Sequence, residues 1–309
     1  MLLLLAAALP TLFWDGSAST VAALREAGIA HIAVPSAQAD AWIGVAGVTV
    51  ETADPQKAVK LLPPVVQYRI DQASASRAPW IDSNGWQFLR RPKGSFYYDV
   101  KGAQAALAAA EAFTFGATAM IHTDADGLKP FGQMLGFLRS LSGVEMAPVA
   151  DIGFVDDGSD AAGEVMNLMV RHNLLFKTET APDSGLKLNV RIGSREYPTA
   201  DAQDPGAMAQ AIRGNLTDEK RSVRIYGTTV VVARLEGAAG RVRIQLLNYA
   251  GPARKVDGLR VRVLGSYPKH QVAASGSPGE DLLDYSVQPD ATEFTLRELK
   301  TYAVIDLSR

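Results

Sequence analysis

The chain has 309 residues, of which 47% are hydrophobic and 21% charged, and its formal net charge at pH 7 is −2. A chain of this size can bury a large core in one domain or in two to three small ones. Its basic residues are spread out rather than grouped, which excludes nucleic acid as the expected partner.

The chain begins with an apolar stretch, Met1–Leu9, that contains small residues at Ala6–Ala8. This pattern is typical of the apolar core and cleavage zone of a secretory signal, and it is too short to cross a bilayer. The alternative is an N-terminal β-strand, which the lack of a positively charged start favours. We expect residues 1–10 to be a signal segment and the protein to be secreted or periplasmic, with no membrane partner.

Short apolar runs alternate with helical stretches from Thr11 to about Ser142, a pattern that predicts parallel strands and crossover helices. The predicted strands are Leu12–Trp14, His31–Val34, Val48–Val50, Val65–Ile70, Pro79–Ile81, Phe96–Tyr98 and Ala119–His122. The clearest predicted helices are Ser17–Ala27, Ala103–Phe115 and Leu128–Leu141. Seven units are too few for a usual barrel of about 250 residues. We therefore predict a reduced or incomplete (β/α) barrel over residues 11–145.

Residues 146–221 show the order strand, turn, helix, strand of a doubly wound α/β domain. The predicted strands are Val149–Val155, Leu174–Thr178 and Leu186–Ile192, and the helices are Ala161–Arg171 and Pro205–Asn215. The turn at Asp156–Gly158 lacks the G-x-G-x-x-G spacing, so a dinucleotide site is not predicted.

Residues 222–309 change to alternating apolar and polar residues, as in Val242, Ile244 and Leu246. The predicted strands are Arg224–Tyr226, Thr229–Leu235, Val242–Asn248, Leu259–Leu264, Glu293–Leu296 and Tyr302–Leu307. Period-two alternation predicts a C-terminal antiparallel β-sandwich with one solvated face.

Three passages follow one another in an order that is more specific than any of them alone. They are the helix, F-G-A turn and strand of Glu111–Asp124, the strand Ala150–Val155 with its helix, and Val242–Tyr249 with Glu293–Leu296 and Tyr302–Leu307. This layout resembles barrel-type bacterial glycoside hydrolases of the β-galactosidase type, and the resemblance covers most of residues 103–309. It implies a flavodoxin-like trimerisation unit, a C-terminal β domain and an oligosaccharide or glycoside as substrate. The family's catalytic Asn-Glu motif is absent, so its catalytic residues are not carried over.

The residues that follow the predicted strands are acidic, and the site of a (β/α) barrel lies at these strand ends. Glycoside hydrolysis needs two carboxyl groups at the scissile bond, one protonated and one ionised. We predict Asp82 and Glu51 as the leading catalytic pair, with Asp15, Asp99 and Asp124 in support.

Aromatic residues accompany these acids. Asp82 and Asn84 lie between Trp80 and Trp86, and tryptophan faces stack on sugars while Asp and Asn bind their hydroxyls. The predicted substrate-binding residues are Trp14, Trp80, Asn84, Trp86, Tyr98, His122 and Arg69. The alternative for the Trp-flanked segment is a helix start capped by Asp82 or Ser83, with Trp86 packed inward.

The supporting residues have structural alternatives as well. Asp15 and Asp99 could each cap the next helix, and Glu51 could be a solvated loop acid. His122 could orient its imidazole for proton transfer or be structural. Glu111, inside a predicted helix, is expected to be solvated.

Several classes of function are excluded by missing motifs. The sequence has no nucleophile elbow, P-loop or H-E-x-x-H spacing. The absence of cysteine excludes thiolate-bound metals, and four histidines argue against a multi-histidine site, while carboxylate-bound Ca²⁺ stays open. We predict a glycosidase that uses paired strand-end carboxylates and no cofactor or resident metal.

Two alternatives stay open beside this one. The first is a non-catalytic carbohydrate-binding or assembly protein with a degenerate barrel. The second is a homo-oligomer in which another subunit completes the site.

Overall fold

A computed structural model describes residues 9–68, 79–141, 146–251, 253–277 and 281–309. The chain divides into two compact units, one of Met1–Val65 with Arg91–Val144 and one of Val66–Arg90 with Glu145–Arg309. Most of the predicted signal segment lies outside the described residues. The division falls between residues 144 and 145, and residues 66–90 belong to the second unit.

The chain up to residue 141 consists of short strands and helices. The strands are β1 Thr11–Phe13, β2 His31–Val34, β3 Thr49–Thr52, β4 Val59–Leu61, β5 Val65–Gln67, β6 Trp80–Asp82, β7 Ser95–Val100 and β8 Thr118–Thr123. The α-helices are α1 Val21–Glu26, α2 Gly85–Arg90, α3 Gln104–Thr114 and α4 Ala125–Ser140. Short 3-10 helices are formed by Ala18–Thr20, Ser36–Trp42 and Pro55–Lys57.

Six of these strands form one parallel sheet in the order β3-β2-β1-β8-β7-β4. The predicted alternation of parallel strands and helices is therefore confirmed for this part of the chain. Strands β5 and β6 are an exception, because they form a separate two-stranded sheet. The two runs around Val65 and Pro79 were predicted to join the parallel sheet, but apolar runs predict strands without specifying which sheet they join.

The connection between the two edge strands requires this sheet to curl. Strands β3 and β4 are at opposite edges, yet only residues 53–58 join them. In a flat sheet six strands wide, the edge strands would lie roughly 24 Å apart. The connection includes a 3-10 turn that advances only about 2 Å per residue, and it must also return to the start of a parallel strand. It is therefore too short to cross a flat sheet, and the sheet must bring its two edges closer together. Among the described strands β3 and β4 do not pair, so the curled sheet is not a closed barrel.

The rest of the chain begins with a small α/β region. The strands that follow β8 are β9 Ala147–Pro148, β10 Ile152–Val155, β11 Phe176–Glu179 and β12 Leu188–Arg191, and the helices are α5 Asp160–Arg171 and α6 Pro205–Leu216. The last three strands form a parallel sheet in the order β11-β10-β12. Helix α5 begins where Ser159 Oγ accepts a hydrogen bond from Ala162 N at 3.1 Å, which is an N-cap.

The C-terminal region is formed by antiparallel strands. They are β13 Val223–Tyr226, β14 Val231–Ala238, β15 Arg241–Asn248, β16 Val256–Leu264, β17 Lys269–Ala274, β18 Leu282–Val287, β19 Ala291–Leu299 and β20 Tyr302–Ser308. One sheet has the order β13-β16-β19-β18 and the other the order β17-β20-β15-β14-β9. Residues such as Val261, Phe294, Ile244 and Ile305 from both sheets share one core. The expected antiparallel sheets are confirmed, and β17 and β18 are strands that the sequence pattern missed.

Polar groups join the α/β region and the β-sandwich, which belong to one compact unit. The Asn173 side chain accepts a hydrogen bond from Ala233 N at 2.6 Å and donates one to Val231 O at 3.0 Å. Buried Asp151 accepts two hydrogen bonds from Ser222, at 2.6 and 2.9 Å. Contacts of this kind link the two predicted domains directly rather than through a free linker.

Candidate active site at the strand ends

The parallel sheet has one face packed against helices and another that carries polar groups. In β7, Phe96, Tyr98 and Val100 are buried, while Tyr97 is partly exposed and Asp99 exposed. Because side chains alternate along a strand, Tyr97 and Asp99 share the face opposite to that of the buried residues. Helix α3, which follows β7, covers the buried face with alanines that permit close packing.

Three side chains meet at the carboxyl ends of neighbouring strands on the polar face. His122 is on β8, the middle strand, and its register partner Asp99 is on β7. His122 Nδ1 lies 2.9 Å from Asp99 Oδ1. His122 Nε2 lies 3.3 Å from Asp15 Oδ1, just after β1 on the other side. The imidazole therefore bridges two carboxylates that are far apart in sequence.

The members of this Asp15–His122–Asp99 cluster differ in exposure. The side chain of His122 is 24% exposed, whereas those of Asp15 and Asp99 are 59% and 69% exposed. An imidazole with a partner on each nitrogen has a fixed ring orientation and can hold or pass a proton. The carboxylates keep open sides toward solvent, where a ligand can reach them.

Two aromatic rings lie beside the cluster. Phe13 of β1 meets Tyr97 edge-on, with ring centroids 5.8 Å apart and planes at 84°, and it also meets His122 at 6.3 Å. Burial, Asp99 and Asp15 together raise the pKa of the Tyr97 hydroxyl to about 12. Tyr97 is therefore a neutral O–H donor next to two acceptors.

Tyr97 was missed in the sequence, where Tyr98 was predicted to bind substrate. The Tyr98 ring is fully buried, and its hydroxyl donates to Glu111 Oε2 at 2.6 Å. Glu111, predicted to be solvated, is itself fully buried because it receives this hydrogen bond in the core. The signal that could have identified Tyr97 is its spacing of two residues from Asp99, which places both side chains on one face.

Other predicted residues of this unit have structural partners outside the cluster. Asp124 caps α4, and its Oδ1 accepts hydrogen bonds from Gly102 N at 2.9 Å and Gly127 N at 3.0 Å. The Gly102 hydrogen bond is the main cause of a lowered pKa of Asp124. Trp14 is largely buried and donates from Nε1 to Thr20 Oγ1 at 2.9 Å.

Glu51 is not part of the cluster. It lies on β3, two strands from β1, and its Oε2 is 3.6 Å from His31 Nε2. Asp82, the other half of the predicted leading pair, is in the second compact unit, so the parallel sheet does not bring the two carboxylates together.

The Trp-flanked segment packs within the second unit. Asp82 Oδ2 accepts a hydrogen bond from Gln67 Nε2 at 2.8 Å. Trp86 lies so close to Gly163 of α5 that a β-carbon on Gly163 would be 3.0 Å from the Trp86 ring.

Asn84 is buried, and its backbone carbonyl oxygen accepts hydrogen bonds from the N–H groups of Gln87 and Phe88 in α2. Trp80 is partly buried at the start of β6, and Arg69 lies outside the described residues.

Within the described ranges, no group of three or more histidine, aspartate or glutamate side chains is arranged to hold a metal ion. None of the helices in the described part of the chain is long and apolar enough to span a bilayer.

Comparison with known proteins finds similarity in structure but not in sequence. No family matches the chain. No curated protein matches it in sequence. The α-L-fucosidase isoenzyme 2 of Paenibacillus thiaminolyticus superposes with a TM-score of 0.55 at 9% identity, over 85% of this chain and 68% of that chain.

Two further glycoside hydrolases superpose less well. A maltogenic α-amylase from Thermotoga neapolitana has a TM-score of 0.26 at 10% identity, over 96% of this chain and 99% of that chain. A GH30 endoxylanase from Clostridium papyrosolvens has a TM-score of 0.24 at 9% identity, over 97% and 95%. These two TM-scores are too low to show a shared fold. None of the three structures is a β-galactosidase. The fucosidase comparison shows a shared fold and no more.

Proposed function

We propose that this protein hydrolyses a glycosidic bond with the Asp15–His122–Asp99 cluster. The observation that carries the proposal is the convergence of two exposed carboxylates on one histidine at adjacent strand ends. Paired carboxyl groups are what glycoside hydrolysis requires. The fold shared with a fucosidase supports glycoside hydrolysis by analogy. Asp15 and Asp99 take the roles first predicted for Asp82 and Glu51.

The two carboxylates divide the acid and base roles. In this mechanism His122 donates its Nδ1 proton to the Asp99 carboxylate across the shorter contact, and Nε2 accepts a hydrogen bond from the carboxyl proton of Asp15. Asp15 gives its proton to the glycosidic oxygen as the bond from that oxygen to the anomeric carbon breaks. Asp99 takes a proton from the water whose oxygen bonds to the same carbon.

The spacing of the carboxylates favours inversion at the anomeric carbon. Retaining enzymes hold their carboxyl groups about 5–5.5 Å apart, so that one can attack directly. Here the imidazole and its two hydrogen bonds lie between the groups, which sets them farther apart than direct attack by one carboxylate requires, as in inverting enzymes at about 6.5–9.5 Å. Both carboxyl groups are exposed, so they exchange protons with solvent between turnovers.

The substrate of such a site is a neutral glycoside. The ionised Asp99 flanks the reaction centre, and its charge repels the carboxylate of a uronic acid. The partly exposed ring of Tyr97, held by the buried Phe13, supplies apolar surface against which a sugar can pack. We place the protein in a secreted or periplasmic compartment, in keeping with its apolar N-terminal segment.

The test is a screen with nitrophenyl glycosides of neutral hexoses, pentoses and 6-deoxyhexoses, with uronides as the charged comparison. Asp15→Asn and Asp99→Asn are expected to lose at least about 100-fold in kcat/KM, the usual size of acid or base catalysis. Asp40→Asn is the matched control, because Asp40 is an exposed acid of the same compact unit. Unchanged turnover in both site variants would remove the cluster from the mechanism.

The open sheet favours a second candidate, a protein that binds carbohydrate without hydrolysing it. Six strands do not close into a barrel among the described residues, and the histidine already engages both carboxylates. Calorimetric binding of an oligosaccharide with no release of reducing sugar would establish this function instead.

A further inference from the structure

Tyr97 and Tyr98 are neighbours in sequence with opposite environments. The Tyr98 hydroxyl is used within the core, where it donates to Glu111. Tyr97 is on the face of β7 that carries Asp99, and its ring is fixed edge-on by Phe13. Strand alternation alone separates the two tyrosines, so one belongs to the core and the other to the polar face.

The Tyr97 hydroxyl has no hydrogen-bond partner among the described residues. Its neighbours Asp15 and Asp99 are acceptors, and both share His122. Burial and these two carboxylates keep the pKa of Tyr97 at about 12, so the hydroxyl remains a donor at any physiological pH. The hydroxyl is not among the buried polar atoms that lack a partner, so solvent reaches it, and an acceptor on a ligand can replace water there.

We propose that Tyr97 is a substrate-binding residue, whose hydroxyl donates a hydrogen bond to one hydroxyl oxygen of a neutral glycoside held against Asp15 and Asp99. The inference rests on the proposed function and adds the residue that orients the sugar. Phe13 holds the Tyr97 ring, so that little side-chain freedom is lost when the sugar binds.

The two tyrosines provide a matched pair of variants. Tyr97→Phe is expected to lower kcat/KM roughly five- to tenfold, mainly by raising KM, with no loss of thermal stability. Tyr98→Phe is expected to lower the melting temperature, because Glu111 loses a buried donor, and to leave kcat/KM unchanged while the protein is folded. Both are measured on the nitrophenyl glycoside that the wild type hydrolyses fastest.

Deoxygenated substrates identify the hydrogen bond itself. Nitrophenyl glycosides that lack one hydroxyl at a time are assayed with the wild type and with Tyr97→Phe. Removal of one particular hydroxyl is expected to lower kcat/KM of the wild type roughly five- to tenfold. It should not lower kcat/KM of Tyr97→Phe any further, because that variant already lacks the same hydrogen bond. A variant that discriminates all deoxy substrates as the wild type does would overturn the proposal.

The outcomes separate this inference from the proposed function. If Asp15→Asn loses activity while Tyr97→Phe keeps its full kcat/KM, only the role of Tyr97 fails. If the wild type binds a glycoside without hydrolysing it, the ratio of dissociation constants replaces kcat/KM as the readout. If the wild type neither hydrolyses nor binds any sugar of the screen, both proposals fail.

Discussion

The carboxyl edge of the parallel sheet and the β-sandwich use their charged groups in different ways. In the sandwich, Arg243 is nearly buried and donates to both oxygens of Asp306, at 2.7 and 2.8 Å. At the sheet edge, Asp15 and Asp99 are more than half exposed and share a single histidine. Exposed charges contribute little to stability, whereas buried and paired ones cost much when broken. Variants at these charged groups are therefore expected to separate into those that affect folding and those that affect chemistry.

The largest effect on folding is expected for Asp151, where the α/β region joins the sandwich. Its Oδ1 accepts from Lys187 Nζ at 2.7 Å and from Ser222 Oγ at 2.6 Å, and the side chain is 2% exposed. Asp151→Ala removes the carboxylate that pairs with Lys187 and accepts from Ser222, and although Lys187 Nζ keeps its bonds to Lys220 O and Ser222 Oγ, the change should lower the free energy of unfolding by about 3 kcal/mol. Urea unfolding measures this.

Asp290→Ala is the control for Asp151, because Asp290 pairs with Arg262 while 76% exposed. Its expected cost is below about 1 kcal/mol. Equal losses of unfolding free energy in the two variants would show that a buried charge pair contributes no more to stability than an exposed one.

A smaller effect is expected on the packed side of the parallel sheet unit, at two glycines of α4. A β-carbon at Gly132 would lie 1.7 Å from the carbonyl oxygen of Ala27, whereas none of the surrounding atoms is within 4 Å at Gly136. Gly132→Ala should therefore destabilise the protein by about 1–3 kcal/mol through overpacking. Gly136→Ala should stabilise it by about 0.5–1 kcal/mol. Thermal unfolding of both variants checks the sign, and a stable Gly132→Ala would refute the close packing of α4.

The smallest effect is a pH dependence at Asp218. Hydrogen bonds from Arg213 and then Arg221 lower the pKa of this carboxyl from 3.8 to about 2. Because the folded pKa is below the ordinary value, its contribution is present above about pH 4 and is lost as the pH falls toward 2. The difference in unfolding free energy between the wild type and Asp218→Asn should shrink between pH 5 and 3. A difference that is constant with pH would contradict the assignment.

Local patterns predicted most of the secondary structure. The helical stretch Ala161–Arg171 after the turn at Asp156–Gly158 predicted α5, and the alternation of Val242, Ile244 and Leu246 predicted β15. The missed strands β17 and β18 lie at sheet edges, where fewer apolar residues are needed. Sheet membership is a long-range property, which is why β5 and β6 were assigned to the wrong sheet.

The candidate site could be predicted only in part. Asp15, Asp99 and His122 were all identified, because each follows or ends an apolar run. Their grouping could not be deduced, since it depends on β1, β8 and β7 being neighbours in space. The Trp-flanked Asp82 had the stronger local pattern, but its strand pairs elsewhere.

The central prediction is that Asp15 and His122 act as one unit in catalysis. The measurement is kcat/KM for Asp15→Asn, His122→Gln and the double variant on the best nitrophenyl glycoside. Groups that act together are strongly non-additive, so the double variant should lose no more than the worse single one, each being at least about 100-fold. Full turnover in Asp15→Asn, or losses that multiply in the double variant, would contradict it.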